Sequence, residues 1–488
     1  MLGRLIDDLL LRPVEEARDA ASEAFLEPTL RLGVTGLSRA GKTVFITSLV
    51  ANLLARGRMQ RLRAQADGRI AAVALRPQPD RGVPRFEFER HMADLAGEPP
   101  RWPASTRSVS QLRLSVRYRS ESWLAGLAGA FSGPQTLHLD IVDYPGEWLL
   151  DLPLMGMRYA EWSAKALAAA ETPLRAGFAE RWRAALAEAD PTAPYDEARA
   201  QALAEGWRVH LAACKDAGLS GLTPGRFLAP GDLEGSPALT FAPLPDGPGD
   251  RRSLRAEFAR RYDAYRAQVI APFFRDHFAR IERQIVLVDL LSALDAGPGA
   301  VGDLRAAMGE ILGCFRPGAN SWLSALLGRR VDRILFAATK ADHVHHSQHP
   351  RMTAILQALL RESVERAQFR GAQVEALAVA GLRATVEQEI ARDGETLACV
   401  RGKLKATGRE AALYPGEIPD DPQAVLASAR EGLAHEPGWL GGAFDVMDFA
   451  PPKGAGGASA APGRRDADGP PHIRLDRALD FLIGDRLA

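Results

Sequence analysis

Over the first 28 residues apolar and charged positions alternate at helical spacing, which predicts an amphipathic lead-in helix. The apolar run Leu30–Val34 then feeds a glycine-punctuated loop, and a second apolar run follows from Val44 to Leu54: strand, loop, helix. Between about residues 57 and 110 the chain is rich in Arg, Pro and Gly, with short strand-like pieces at Ile70–Leu75 and Phe86–Phe88. Stronger strand patterns come at Leu112–Arg119 and Thr136–Val142, joined by a connection around Gly126–Gly133. From 152 to 282 the pattern turns helical (156–188, 195–215, 252–282), interrupted by a Pro/Gly-rich bridge at Leu222–Pro248, and is too long for a loop. Strand patterns resume at Gln284–Leu290, Arg333–Ala338 and Val374–Val379. The stretch 395–450 reads as irregular, Lys453–Pro471 as a Gly/Pro/Ala/Asp linker, and Ile473–Leu487 as a final helix. Its Leu475, Leu479 and Leu482 make one stripe suited to docking on the body.

Alternation of strands and helices predicts an α/β fold with a mainly parallel central sheet. Its domain would be split, 29–151 and 283–394, around a helical insertion at 152–282. Before it lies the 1–28 helix; after it come an extension (395–452), a linker (453–471) and a docking helix (472–488). The aromatic face of the last insertion helix (Phe258, Tyr262, Tyr265, Phe273, Phe274, Phe278) reads as core, with a partner surface as the sharper alternative.

Composition changes the picture in two places. Net charge is zero, which gives no bulk case for nucleic acid or an anionic membrane. Only seven of the 61 basic residues are lysine, so lysine should persist mainly where arginine cannot replace it. Cys214, Cys314 and Cys399 are far apart and read as small buried hydrophobes rather than a disulfide or zinc framework. The N-terminus is charged too early for a signal peptide, and no apolar stretch approaches the roughly 20 residues of a membrane span. The expectation is a cytoplasmic protein.

The chemistry starts at Gly36-Leu-Ser-Arg-Ala-Gly41-Lys42-Thr43, a full match to GxxxxGK[ST] between an apolar strand and a helical run. Gly36, Ser38, Arg39, Ala40, Gly41 and Val44 supply a backbone that curls around phosphate oxygens. Lys42 is a compact charge for the β- and γ-phosphates, and Thr43 a hydroxyl ligand for Mg²⁺. Asp143-Tyr144-Pro145-Gly146 ends the strand LHLDIVD: Asp143 can hold Mg²⁺ through water, and Gly146 can offer its N–H to the γ-phosphate. Asp140, on the opposite face, is the weaker metal partner. Thr339-Lys340-Ala341-Asp342 closes the strand RILFAA and fits [NT]KxD, in which the aspartate accepts from guanine N1–H and the 2-amino group and the lysine stem lies along the base. Ala380 or Gly381, after the last strand, would offer an N–H to guanine O6. A threonine closing over Mg²⁺ and the γ-phosphate should precede the second strand; Thr106 is favoured, beside solvent-exposed turn hydroxyls as the plain reading.

These motifs follow the order of a P-loop NTPase of the Ras-like GTPase kind. The strings DYPGEWLLDLPLM (143–155), PGRFLAPG (224–231), FFRDHFARIERQIVLVDLL (273–291), TKADHVHH (339–346), YPGEIP (414–419) and HIRLDRALDFLIGDRL (472–487) resemble the bacterial YcjX-like family over most of the chain. The resemblance implies a Ras-like GTP-binding fold with a helical insertion, taking GTP or GDP with Mg²⁺. It also implies a stress-associated role linked to envelope or phage-shock responses. An unidentified protein partner, an inner-membrane protein encoded nearby, would bring the chain to the membrane periphery.

Glu147 stands where Ras-type proteins carry a glutamine that orients water. It can act as a base, repel the phosphate, or turn outward while Trp148 packs the segment. With Lys42, Thr106 and Gly146 it completes the catalytic set. Arg39 and Arg107 are candidate cis cations, with solvent-facing side chains as the plain alternative. His343, His345, His346 and His349 crowd after Asp342; His345 and His349 have the i,i+4 spacing of a metal pair, but no acidic residue follows nearby, and His343 and His346 read as contacts to the base loop. Asp289 is expected to hydrogen-bond locally. A non-hydrolysing GTP-gated scaffold is the rival reading, and an ATP-dependent kinase or motor a third.

Overall fold

The computed structural model describes residues 27–37, 39–104, 108–120, 134–247, 250–314, 331–368, 372–392, 394–430, 439–442, 444–454 and 468–488. The lead-in helix and most of the 453–471 linker lie outside them. Seven strands form one mixed sheet: β1 (Thr29–Gly36), β2 (Ile70–Arg76), β3 (Ser110–Tyr118), β4 (Gln135–Asp143), β5 (Arg283–Val288), β6 (Arg333–Ala338) and β7 (Gln373–Ala378). Their spatial order is β2-β3-β4-β1-β5-β6-β7. β4, β1, β5, β6 and β7 run parallel, and β3 is antiparallel to both its neighbours. The fold is therefore α/β with a mostly parallel sheet.

A parallel strand is covered on both faces, so it reads as a near-continuous apolar run, and β5 is buried along its whole length. Alternate residues feed two cores. Leu32, Val34, Ile285, Leu287 and Leu335 face one; Val286, Val288, Phe336 and Ala338 face the other.

The main helices are α1 (Lys42–Ala55), α2 (Phe88–Ala96), α3 (Tyr159–Glu171), α4 (Ala176–Ala187), α5 (Glu197–Asp216) and α6 (Leu254–Tyr265). They continue with α7 (Leu290–Ala296), α8 (Pro298–Cys314), α9 (His349–Gln368), α10 (Pro422–Arg430) and α11 (Leu475–Ile483). α1 covers the first face through Phe45, Ile46, Leu49, Val50 and Leu53, joined by the Leu475–Leu479–Leu482 stripe of α11. The second face shares one continuous core with α3, α5, α6, α8 and α9. All six aromatic residues from Phe258 to Phe278 are buried there, as core.

Two local expectations give way. Phe86–Phe88 is not a strand: Phe88 opens α2, whose Phe88, His91 and Leu95 are buried at helical spacing. The 395–450 stretch is not irregular throughout, because β8 (Thr385–Arg392), β9 (Glu395–Lys403) and β10 (Glu410–Leu413) make an antiparallel sheet of their own. Its strands are half-exposed and rich in charge, so the apolar signal that marks a strand is faint. Among the described residues no helix is long and apolar enough to cross a membrane.

Candidate functional site

The strand register lines up the chemistry. Val34 lies beside Asp143, Val288 beside Ala338, and Ala338 beside Ala378, so the loops leaving β1, β4, β5, β6 and β7 open on one edge of the sheet. Loops at the C-terminal edge of a parallel sheet form its natural ligand crevice. Here they enclose, with one face of α5, a cleft of about 1390 Å³. Lys42 and Asp342 both stand on its lining, as do Arg39, Ala40, Gly41, Thr43 and Val44.

At one end the P-loop turns into α1. Gly41 sits at φ 73°, left-handed geometry that glycine adopts without strain, and Phe45 N–H donates back to its carbonyl at 2.9 Å. The opening turn of a helix carries N–H groups with no intrahelical partner, and Lys42, Thr43 and Val44 of this turn line the cleft. A Cβ on Gly146 would stand 1.9 Å from the Gly36 carbonyl oxygen, so the segment after β4 presses directly on the P-loop. The Lys42 ammonium donates to the Asp143 carboxylate, which is 1% exposed and also lies 3.5 Å from the Ser110 hydroxyl. Thr43 Oγ1 donates to the Ala104 carbonyl at 3.3 Å. Thr43 and Asp143 each offer hard oxygen donors, the chemistry that Mg²⁺ selects. Ser38, Thr106 and Arg107 lie outside the described residues; Ala104 and Ser108 flank the last two, and Ser108 lines the cleft.

Glu147 does not turn to solvent. Lys215 Nζ, at the end of α5, donates to its Oε1 at 2.7 Å. Trp148 is buried and donates to the Ala229 carbonyl at 2.9 Å, while the Arg226 guanidinium lies 3.1 Å above its ring centre. Asp151, fully buried, accepts from Gly225 N–H (2.7 Å), Arg226 N–H (3.2 Å) and the Tyr265 hydroxyl (2.6 Å). Burial pushes its carboxyl up to about 6 against those hydrogen bonds. Arg39, left-handed at φ 66°, is largely exposed and reaches Asp216: Nη1 lies 3.5 Å from the carbonyl and Nη2 3.8 Å from the carboxylate.

At the other end, Thr339 N–H donates to the Val288 carbonyl at 2.9 Å, fixing the start of the TKAD turn. Lys340 Nζ lies 2.7 Å from Asp289 and 3.7 Å from Asp448. Burial works against the Lys340 ammonium, yet Asp289 holds its pKa above the usual lysine value. Asp289 also caps α7 by accepting from Ser292 N–H. Asp342 Oδ2 accepts from Ala384 N–H at 2.7 Å, and the Thr385 hydroxyl donates to its carbonyl. His343 meets the Phe449 ring edge-on at 5.1 Å, and burial pushes its imidazole pKa down. Both candidate N–H donors after β7, Ala380 and Gly381, stand on the cleft lining; the Ala380 N–H is occupied by the Ile473 carbonyl at 3.1 Å. A Cβ on Gly381 would stand 2.8 Å from Phe45 Cα, so this loop lies tight on α1.

Other residues resolve differently. Asp140 is held by Arg113 through two bonds of 2.6 and 2.7 Å, on the far side of β4 from the cleft chemistry. The His345–His349 pair that the i,i+4 spacing allows does not form: His349 Nε2 bonds the Ala341 carbonyl and its Nδ1 the Arg474 guanidinium. His345, His346 and Glu387 do converge, the acidic residue arriving from β8 rather than from nearby sequence. His346 Nδ1 lies 2.8 Å from Glu387, and the Arg383 guanidinium 3.5 Å from its other oxygen already supplies a cation. Cys214 and Cys399 are buried free thiols, and burial pushes Cys214 up to about 11.

Sequence reasoning missed Lys215, Arg208, Lys405, Asp448 and Phe449 on the cleft wall. The scarcity of lysine carried the missing signal: four of the seven, Lys42, Lys215, Lys340 and Lys405, line this one cleft.

The family described as the YcjX-like family, DUF463, matches residues 30–487. The protein named Ras-like GTPase YcjX from Escherichia coli (strain K12) is 39% identical over 471 residues, covering 94% of this chain and 96% of its own. Its namesake from Shewanella oneidensis (strain MR-1) is 34% identical over 510 aligned positions, covering 98% and 99%.

Proposed function

Because the chain belongs to the YcjX-like family, we propose that it binds a guanine nucleotide with Mg²⁺ in this cleft and hydrolyses GTP slowly, as a nucleotide-dependent switch. The observation that carries the reading is the placement of Lys42 and Asp342 on one cleft lining. The N–H groups of the P-loop and the first turn of α1 receive the phosphates. Lys42 exchanges Asp143 for phosphate oxygens. Thr43 and Asp143 then hold Mg²⁺, which neutralises phosphate charge. At the base, Ala384 N–H fixes the Asp342 carboxylate through Oδ2, and Oδ1 accepts from guanine N1–H and the 2-amino group. Adenine offers an acceptor and no donor at those positions. Lys340, drawn over by Asp289, lays its stem along the ring. A γ-phosphate would order the stretch around Thr106, which follows Ala104 beside Thr43, and segment 143–147, which presses on the P-loop at Gly146.

The test is phosphate release from GTP under single-turnover conditions. Wild type should release phosphate and Lys42→Ala should not; equal release from both overturns the proposal. GTP that stays bound and intact for hours selects the scaffold role instead.

A further inference from the structure

The cleft has a wall from outside the strand-edge loops, and the geometry points to Lys215 as a cation supplied in cis to the terminal phosphate of the bound nucleotide. This rests on the guanine-nucleotide reading above. Gln201, Glu205, Arg208 and Lys215 recur at helical spacing on one face of α5, and all four line the cleft that holds Lys42. The last turn of α5 is held in place twice: Lys215 on Glu147 at 2.7 Å and Asp216 near Arg39 of the P-loop. Independently, Gly225 packs so close that a Cβ there would stand 1.9 Å from the Glu147 carbonyl oxygen. The insertion is thus built against the two segments that frame the γ-phosphate position.

Charge then decides what Lys215 does. Two parallel pairs, Lys42 with Asp143 and Lys215 with Glu147, stand at this end of the cleft. A carboxylate here would repel a triphosphate. Lys42 and Asp143 resolve their pair by turning to phosphate and Mg²⁺. Glu147 has no such metal role, so the ammonium beside it must be shared between its carboxylate and the terminal phosphate. In hydrolysis the water oxygen bonds to the γ-phosphorus as the bond to the β,γ-bridging oxygen breaks. GDP takes the electron pair, and the water proton ends on inorganic phosphate. Lys215 would meet the charge on the γ-phosphoryl oxygens, the part an arginine finger plays in related chemistry. Lysine survives there, in a chain that otherwise favours arginine 54 to seven, because a compact charge fits between two anions.

The experiment measures affinity for GDP and for a non-hydrolysable GTP analogue, with single-turnover rates on GTP, in wild type, Lys215→Gln, Lys215→Arg and Lys215→Gln/Glu147→Gln. Lys215→Gln should weaken the GTP analogue by on the order of tenfold and slow turnover, with GDP affinity kept within about twofold, as expected when one charged contact to the terminal phosphate alone is lost. Lys215→Arg should recover part of both losses, and the double variant should regain analogue affinity because the repelling carboxylate is gone. Equal losses for GDP and the analogue would show only a structural latch and overturn the inference, as would an unchanged analogue-to-GDP ratio. A wild type that binds neither nucleotide would sink the guanine reading itself.

Discussion

A Cβ on Gly146 would meet the Gly36 carbonyl at 1.9 Å, where nothing but backbone can move. Gly146→Ala should therefore pry the post-β4 segment off the P-loop. Turnover is expected to fall on the order of 100-fold, the effect of misplacing reacting groups by about 1 Å, while urea unfolding shows that the chain still folds. At the base, Asp342→Asn exchanges an acceptor for a donor. GTP affinity should drop on the order of 100-fold, and xanthosine triphosphate, which carries a 2-oxo group, should gain what GTP loses; competition binding reads both. Residues of this kind were legible because each motif position has one chemistry and a fixed spacing. Lys215 and Asp448 were not, since they reach the cleft from segments far away in sequence and belong to no motif. The bond that occupies the Ala380 N–H was hidden for a related reason: its partner, Ile473, lies across the linker.

Among the elements, the parallel strands were legible because burial on both faces writes a continuous apolar run. The final helix was legible through its leucine stripe. Leu479 is buried in the core under α1 and the sheet, so Leu479→Ala should cost about 2–5 kcal/mol, seen as a lower urea midpoint. Elements with mixed surfaces were harder. α2 buries only one narrow face, and two phenylalanines spaced i,i+2 mimic a strand. The β8–β10 sheet carries Glu, Gln and Arg on exposed faces, so its alternation is masked; yet through Glu387 and Thr385 it braces the loop that presents Asp342.

For the whole molecule, the decisive feature is the seam between the insertion and the segment after β4, where Asp151 is buried among Gly225, Arg226 and Tyr265. Its folded carboxyl titrates at about 6, above the usual 3.8. A raised carboxyl pKa favours folding while protonated, so this stabilisation is complete below about pH 4 and is lost as pH rises through 6. The span is on the order of 3 kcal/mol. Urea unfolding across pH 4–7 should show that component in wild type and a flatter profile in Asp151→Asn. No periodicity in the sequence announces this seam, because it joins residues some 75–115 positions apart.

Calorimetric titration with nucleotide and Mg²⁺ tests the central claim most directly, that one ligand spans from the P-loop to the TKAD turn. The account predicts one GTP bound per chain, none detectable with ATP, loss of GTP binding in Lys42→Ala, and loss again in Asp342→Ala at the opposite end of the cleft. ATP binding as tightly as GTP, or GTP binding untouched by either substitution, would contradict it.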